Sequence, residues 1–346
     1  MTATDGTRRA GHRAAADAAQ TGAAVDGPDA PDPDSAGVRG FLQVSPEVAD
    51  ALREGRPVVA LESTLISHGF PYPENVAIAR DSEAAVRAEG AVPATIAIRD
   101  GRLRIGLTPH EVESLATAPG VAKVARPTLA AALAGGGWGA TTVSATMIAA
   151  RAAGIRIFAT GGIGGVHRGA LVGPGATSGS LDISADLDEL ARTPVVVVSA
   201  GPKLILDVAL TVEALETRGV PLVTIGSDEV PGFWARRSGV RSPIVAATTE
   251  DAARIAATHL RLALGTGMLI CAPVPAADEV PRERIEAIVE QATAEALSGG
   301  IHGAALTPWL LARIAELTAG TSVRANEALI RNNARTAARI AARLGS

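Results

Sequence analysis

The sequence predicts an α/β fold built on a mostly parallel central sheet. Short runs such as VVALES (58–63) and VVVVSA (195–200) are apolar along their whole length, as strands covered on both faces require. Between such runs lie segments with helical periodicity, so strand and helix alternate along the chain. Composition agrees: 47% of residues are hydrophobic and only 2% aromatic, so the core is drawn from Ala, Val, Leu and Ile.

Residues 1–40 are rich in Ala, Asp, Gly and Pro, with almost no large apolar side chains, and are predicted to be a disordered tail. One domain, 41–346, follows. VVALES reads as a buried strand. NVAIARDSEAAVRAEG (75–90) reads as an amphipathic helix ending at Gly90. PATIAIRDGRLRIG (93–106) reads as a hairpin turning at Asp100-Gly101. TPHEVESLA opens a helix with Thr108 as N-cap, Pro109 in the first position and Glu111 completing a capping box. GATTVSATMIAARAAG (139–154) reads as a helix, and RIFATGG (156–162) as a strand running into a Gly-rich loop. VVVVSA leads through Gly201-Pro202 into a helix expected from Lys203 to about Arg218. VPLVTIGS is a strand, TEDAARIAATHLRLAL a helix and MLICAPVP a strand; the last third is helical. ALVGPGATSGS (170–180) reads as an inserted flexible loop.

Several classes are excluded early. A net charge of -4 provides no basic footprint for a nucleic acid. No apolar run reaches the roughly 18 to 20 residues of a membrane span, and the first residues lack the apolar core of a secretory signal. Cys271 is the sole cysteine, so one chain has neither a disulfide framework nor a cysteine-based zinc site. A reducing, cytoplasmic location is the expectation.

The cations are more informative than the totals. Of 32 Lys and Arg residues only Lys123 and Lys203 are lysine. Arginine stays protonated, whereas a lysine amine can be freed to act as a nucleophile. Lys203 follows a four-valine strand, at the end of the sheet where α/β folds bind ligands. An expected helix N-terminus there disfavours the ammonium form, by roughly 0.3–1 kcal/mol, so desolvation must supply most of the effect. Taken alone, the residue fits equally a surface lysine paired with Asp207 at i+4. Lys123, before a helix opened by Pro127, can meet a phosphate as a point charge or be an ordinary surface cation. Glu62, directly after a buried strand, can serve as a general acid if burial raises its pKa, or stand in solvent at the strand end. GATTV and TGGIGGVHRG are turns whose amides can cradle a phosphate; His167 in place of a third glycine breaks any dinucleotide fingerprint. LDISADLDEL holds Asp182, Asp186, Asp188 and Glu189. These can ligate a hard cation, or simply enrich the first turn of a helix capped by Ser184.

ALESTLISHGFPYPENVAIA, GATTVSATMIAARAAGIRIFATGGIGGVHRGA, DISADLDELA, VVVSAGPKLILD and RANEALIRNNA, in this order, together closely resemble the pseudouridine-5′-phosphate glycosidase family, also described as indigoidine-synthase-A-like. The resemblance runs over residues 45–344. It implies an α/β/α layered sandwich, a homotrimer and one divalent cation per subunit, usually Mn²⁺. It also implies reversible conversion of pseudouridine 5′-phosphate and water into uracil and ribose 5-phosphate. By the same resemblance Glu62 is the proton donor, Lys203 the nucleophile and Asp182 the metal ligand. Lys123, Thr142, Val143, His167, Ser184, Ala185, Asp186 and Asn326 are substrate contacts. The two scarce lysines fall on the family's two lysine positions. Another Schiff-base lyase acting on a sugar phosphate, or a non-catalytic sugar-phosphate sensor, are the alternatives.

Overall fold

The computed structural model describes residues 36–168, 170, 182–301 and 306–344. Most of the expected tail and of the 170–180 insertion lies outside these residues. The described residues begin five positions before residue 41. Ala36–Arg39 form a helical turn, α1, because Val38 packs on the core and its carbonyl accepts from the Phe41 amide at 3.0 Å.

After α1 come β1 (Leu42–Val44), α2 (Pro46–Arg53), β2 (Val58–Leu61), α3 (Glu74–Ala88), β3 (Val92–Arg99) and β4 (Arg102–Ile105). Then follow α4 (Pro109–Thr117), β5 (Ala122–Val124), α5 (Leu129–Ala134), β6 (Trp138–Thr141), α6 (Val143–Ala152), β7 (Ile157–Ala159) and β8 (Val166–His167). The second half contains α7 (Ala185–Leu190), β9 (Val196–Ser199), β10 (Leu206–Asp207), α8 (Val208–Thr217), β11 (Leu222–Ile225), β12 (Ile244–Ala246), α9 (Thr249–Leu262) and β13 (Met268–Cys271). Three helices close the chain: α10 (Arg282–Ser298), α11 (Leu306–Leu317) and α12 (Thr321–Leu344).

Among the described residues an 11-stranded sheet runs in the order β1-β4-β3-β2-β7-β9-β13-β11-β12, with β6 on β3 and β5 on β6. Its centre, from β2 to β12, is parallel; the β3–β4 hairpin and the β3–β6 pair are antiparallel. The pleat sends alternate residues to opposite cores. Val59, Leu61, Ile157, Ala159, Val196 and Val198 meet the alanine-rich faces of α3, α9 and α12. Ala60, Phe158 and Val197 meet α6, α7, α8 and α10. This is the α/β/α layered sandwich expected. In α12 the buried alanines 334, 337, 338 and 341 repeat at helical spacing and form one face of small side chains.

The hairpin and the Thr108–Glu111 capping box form as read from the sequence. Two helices do not. Residues 138–141 are strand β6, paired on both edges, and the helix starts only at Val143. The helix expected from Lys203 starts at Val208 instead. Residues 206–207 pair antiparallel with β8, and Asp207 caps the helix by accepting from the Leu210 amide at 2.9 Å. Lys203 therefore lies in a turn before α8, and no helix dipole begins there. Asp207 is a cap rather than an i+4 partner. Pro127 likewise lies in a tight 3₁₀ turn, 126–128, ahead of α5.

From β2 the chain proceeds to β3 on one side and later resumes at β7 on the other. Strand order reverses at this boundary, and α/β sheets open a ligand crevice beyond the carboxyl ends of the strands flanking such a point.

Candidate active site

The reversal brings together residues far apart in sequence. Glu62 directly follows β2, Gly161 and Gly162 follow β7, Lys203 follows β9 and Lys123 stands on β5. All line one cavity, closed by Asn326 and Ile330 of α12, Leu311 of α11 and the ring of Phe233. Four of the sequence-predicted residues, Glu62, Lys123, Lys203 and Asn326, thus share one space.

Burial raises the Glu62 carboxyl above its ordinary range, against the opposing pull of Lys203 and of the Thr160 hydroxyl, which donates to it. A carboxyl held protonated to higher pH is what a proton donor needs. Lys123 is held below the ordinary lysine range by burial and then by the charge of Lys203. Asn326 has a buried side-chain oxygen with no hydrogen-bond partner. An unpaired buried acceptor facing a cavity is a place where a ligand donor recovers a lost hydrogen bond.

The remaining predicted residues do not line the cavity and form two groups. In the first, Thr142 precedes α6 and its amide donates to the Val124 carbonyl at 2.8 Å, one residue from Lys123; Val143 is buried at the first helical position. Ser184 caps α7, accepting from the Asp186 amide at 3.2 Å, and Ala185 is the first residue of that helix. Asp186 is buried. Its two oxygens accept from the amides of Ser144 (3.1 Å) and Gly164 (3.0 Å), so the carboxylate staples the start of α6 to the Gly-rich turn. The Gly164 amide, in a turn read as a phosphate cradle, and the Ser144 amide just beyond GATTV already have an anion of the chain itself. In the second group, β8 pairs with β10 on one side and with Ile183 on the other. His167 and Asp182 therefore flank each other, with Nδ1 3.9 Å from the carboxylate.

The acid-rich segment resolves residue by residue. Asp188 pairs with Arg218 at 2.7 Å, and Glu189 is fully buried with Arg126 and Thr193. Asp186 is committed to amides. Among the described residues no group of three or more His, Cys, Asp and Glu side chains converges on one point. Asp182, the ligand the resemblance implies, lies beside His167; a single carboxylate fits a hard cation that retains most of its water, as Mg²⁺ and Mn²⁺ do.

Sequence reasoning passed over three residues. Thr160 binds Glu62 across 98 positions of sequence. Asn333, fully buried in α12, donates to the carbonyls of Thr160 (2.8 Å) and Gly161 (3.1 Å) and so shapes the turn below the cavity. His68 lines the cavity, with its basicity lowered by burial and by Lys123. The Asn-Asn pair in RNNA was the one local signal for Asn333.

The family model described as indigoidine synthase A like protein matches residues 47–343. The chain belongs to that family. A protein of Roseobacter denitrificans named pseudouridine-5′-phosphate glycosidase is 55% identical over 87% of this chain and 94% of its own. One of the same name from Deinococcus radiodurans is 54% identical over the same shares. Among solved structures, the prealnumycin C-glycosynthase AlnA in complex with ribulose 5-phosphate matches with a TM-score of 0.79 at 40% identity, covering 88% of this chain and 97% of that one.

In this indigoidine synthase A-like chain the Gly-rich turn is constrained by close approach. A Cβ on Gly162 would stand 2.7 Å from the Phe233 ring and 3.0 Å from the Gly201 carbonyl oxygen. Gly162→Ala is expected to cost about 1–3 kcal/mol and to displace the Lys203 turn. A lowered denaturation midpoint together with reduced turnover checks this; an unchanged midpoint refutes it.

Proposed function

We propose that this protein reversibly cleaves the C–C glycosidic bond of pseudouridine 5′-phosphate, yielding uracil and ribose 5-phosphate through a Schiff base on Lys203. The carrying observation is the placement of a protonatable Glu62 and the chain's two lysines around one cavity at the strand-order reversal. The relatives' names give the reaction class its substrate.

A C–C glycoside has no exocyclic oxygen to protonate, so the two-carboxylate device of O-glycosidases is poorly suited. Glu62 gives its proton to the ribose ring oxygen as the bond from that oxygen to C1 breaks. The free amine of Lys203 forms a bond to C1 and loses a proton. Protonation of uracil at C5 lets the C1–C5 bond break, with its electron pair passing to the base while the nitrogen lone pair closes the imine. Water adds to the imine and releases ribose 5-phosphate. Lys123 meets the phosphate, with Thr142, Val143, Ser184 and Ala185 beside it; Asn326 and His167 face the sugar and base. Asp186 acts here by holding the turn rather than by touching the phosphate directly. Remote binding of the phosphate holds C1 against the amine.

Asp182 would hold the Mn²⁺, or another divalent cation, one per subunit, and the ion would supply a polarised water. We place the protein in the cytoplasm as a homotrimer; no described helix is long and apolar enough to cross a membrane. Incubation with pseudouridine 5′-phosphate and Mn²⁺ is expected to release uracil and ribose 5-phosphate in equal amounts. Chelation is expected to suppress release, and Mn²⁺ to restore it. Consumption of the sugar phosphate without free uracil would overturn the assignment in favour of a different lyase.

A further inference from the structure

Lys203 projects from an unusual piece of backbone. Gly201, Pro202, Leu204, Ile205 and Leu206 are all buried, so Lys203 is the one residue of the turn that reaches the cavity. Only Leu206, at its end, enters a strand, so the carbonyls of the turn must find partners largely outside helix and sheet ladders. Gly201 gives its carbonyl to the Ile163 amide at 3.2 Å, and Lys203 gives its own to the Leu206 amide at 2.9 Å. The carbonyls of Leu204 and Leu206 accept from a side chain instead. Arg168, the residue directly after β8, takes both: Nη2 donates to Leu204 at 2.9 Å and Nε to Leu206 at 3.4 Å.

We infer that Arg168 is a positioning residue for the nucleophile: its guanidinium clamps the Leu204 and Leu206 carbonyls and thereby sets the direction in which the Lys203 amine enters the cavity. The inference rests on the reading of Lys203 as the Schiff-base lysine. A guanidinium suits this task because its donors form a rigid planar fork that spans two acceptors, where an ammonium is a single point. The clamp also lies in the short ribbon that carries His167 and, through the Val166–Ile183 bridge, the approach to Asp182. Arg168 need not touch the sugar to matter, because a displacement of about 1 Å at the reacting atoms can cost roughly 100-fold in rate.

The test uses the full-length Mn²⁺-loaded protein and the variants Arg168→Ala and Arg168→Lys. Each is assayed for uracil release, for borohydride trapping with ribose 5-phosphate (read by mass), and for its denaturation midpoint. The clamp predicts that kcat and the trapping rate of Arg168→Ala fall together by roughly 10- to 100-fold. KM is expected to stay within about threefold, because the groups that bind the phosphate are untouched. Arg168→Lys, which keeps the charge but loses the fork, is expected to recover only part of the rate, and it serves as the test if the alanine variant does not fold. A lowered midpoint with kcat and trapping unchanged would make Arg168 a stabilising residue only and overturn the inference. Trapping of wild type with equal trapping of both variants would also overturn it while leaving the Schiff base intact. Absence of any adduct on the wild type would overturn both.

Discussion

Replacing Lys203 by arginine is expected to lower uracil release by about 10⁴-fold or more, the scale of losing a covalent nucleophile. The substitution preserves charge and most of the length of the side chain, so binding of the phosphate through Lys123 survives and KM changes little. What disappears is a nitrogen able to lose its proton. The turn should tolerate the change, since its fold depends on the buried Leu204, Ile205 and Leu206 and on backbone pairing to Ile163. Borohydride with ribose 5-phosphate should add mass to the wild type and none to the variant. Uracil release by Lys203→Arg at the normal rate would contradict the covalent route outright.

The second large effect concerns Glu62. Glu62→Gln keeps an acceptor for the Thr160 hydroxyl but cannot give up a proton, and kcat is expected to fall by about 10²- to 10⁴-fold. Because burial raises the Glu62 carboxyl, the wild-type rate should decline as pH rises through that raised value, and the variant should lack this limb. Stability falls over the same range. The unfolded carboxyl ionises near the ordinary glutamate value of 4.5, while the folded one holds its proton longer. Above that pH the unfolded chain binds fewer protons, so Glu62 subtracts stability increasingly until pH passes the folded value. At neutral pH Glu62→Gln should therefore unfold at an equal or higher denaturant concentration than wild type, and near pH 4 the difference should vanish. Denaturation midpoints at the two pH values decide this; a variant less stable at pH 7 but equal at pH 4 would contradict it.

These two residues could be singled out before any fold was known, for different reasons. Lys203 stood out by scarcity, as one of two lysines among 32 basic residues. Glu62 stood out because a carboxylate follows an unbroken apolar strand. The surroundings were not legible in the same way. Pro202-Lys203-Leu204 reads locally as the first turn of a helix. The helix is displaced by five residues because the chain's own β8, some forty positions earlier, offers an edge to Leu206 and Asp207. Likewise GATTV reads as part of one helix because Ala and Thr are compatible with either state; β3 and β5 on its two sides make residues 138–141 a strand. Asp186 reads as a candidate ligand, and only the positions of Ser144 and Gly164 reveal both oxygens already engaged.

What the sequence determined alone is whatever is encoded over a few neighbouring residues or in the composition: apolar runs for buried strands, the Thr108–Glu111 cap, the Asp100-Gly101 turn, and the scarcity of lysine, whose amine can be freed where a guanidinium cannot. Tertiary structure decided which of these residues meet and in what electrical state. The raised Glu62 carboxyl, its link to Thr160 and the grip of Asn333 on Thr160 join residues 98 and 173 positions apart. Desolvation and hydrogen bonding act through space, and no local pattern records the distance between side chains brought together by crossing a sheet.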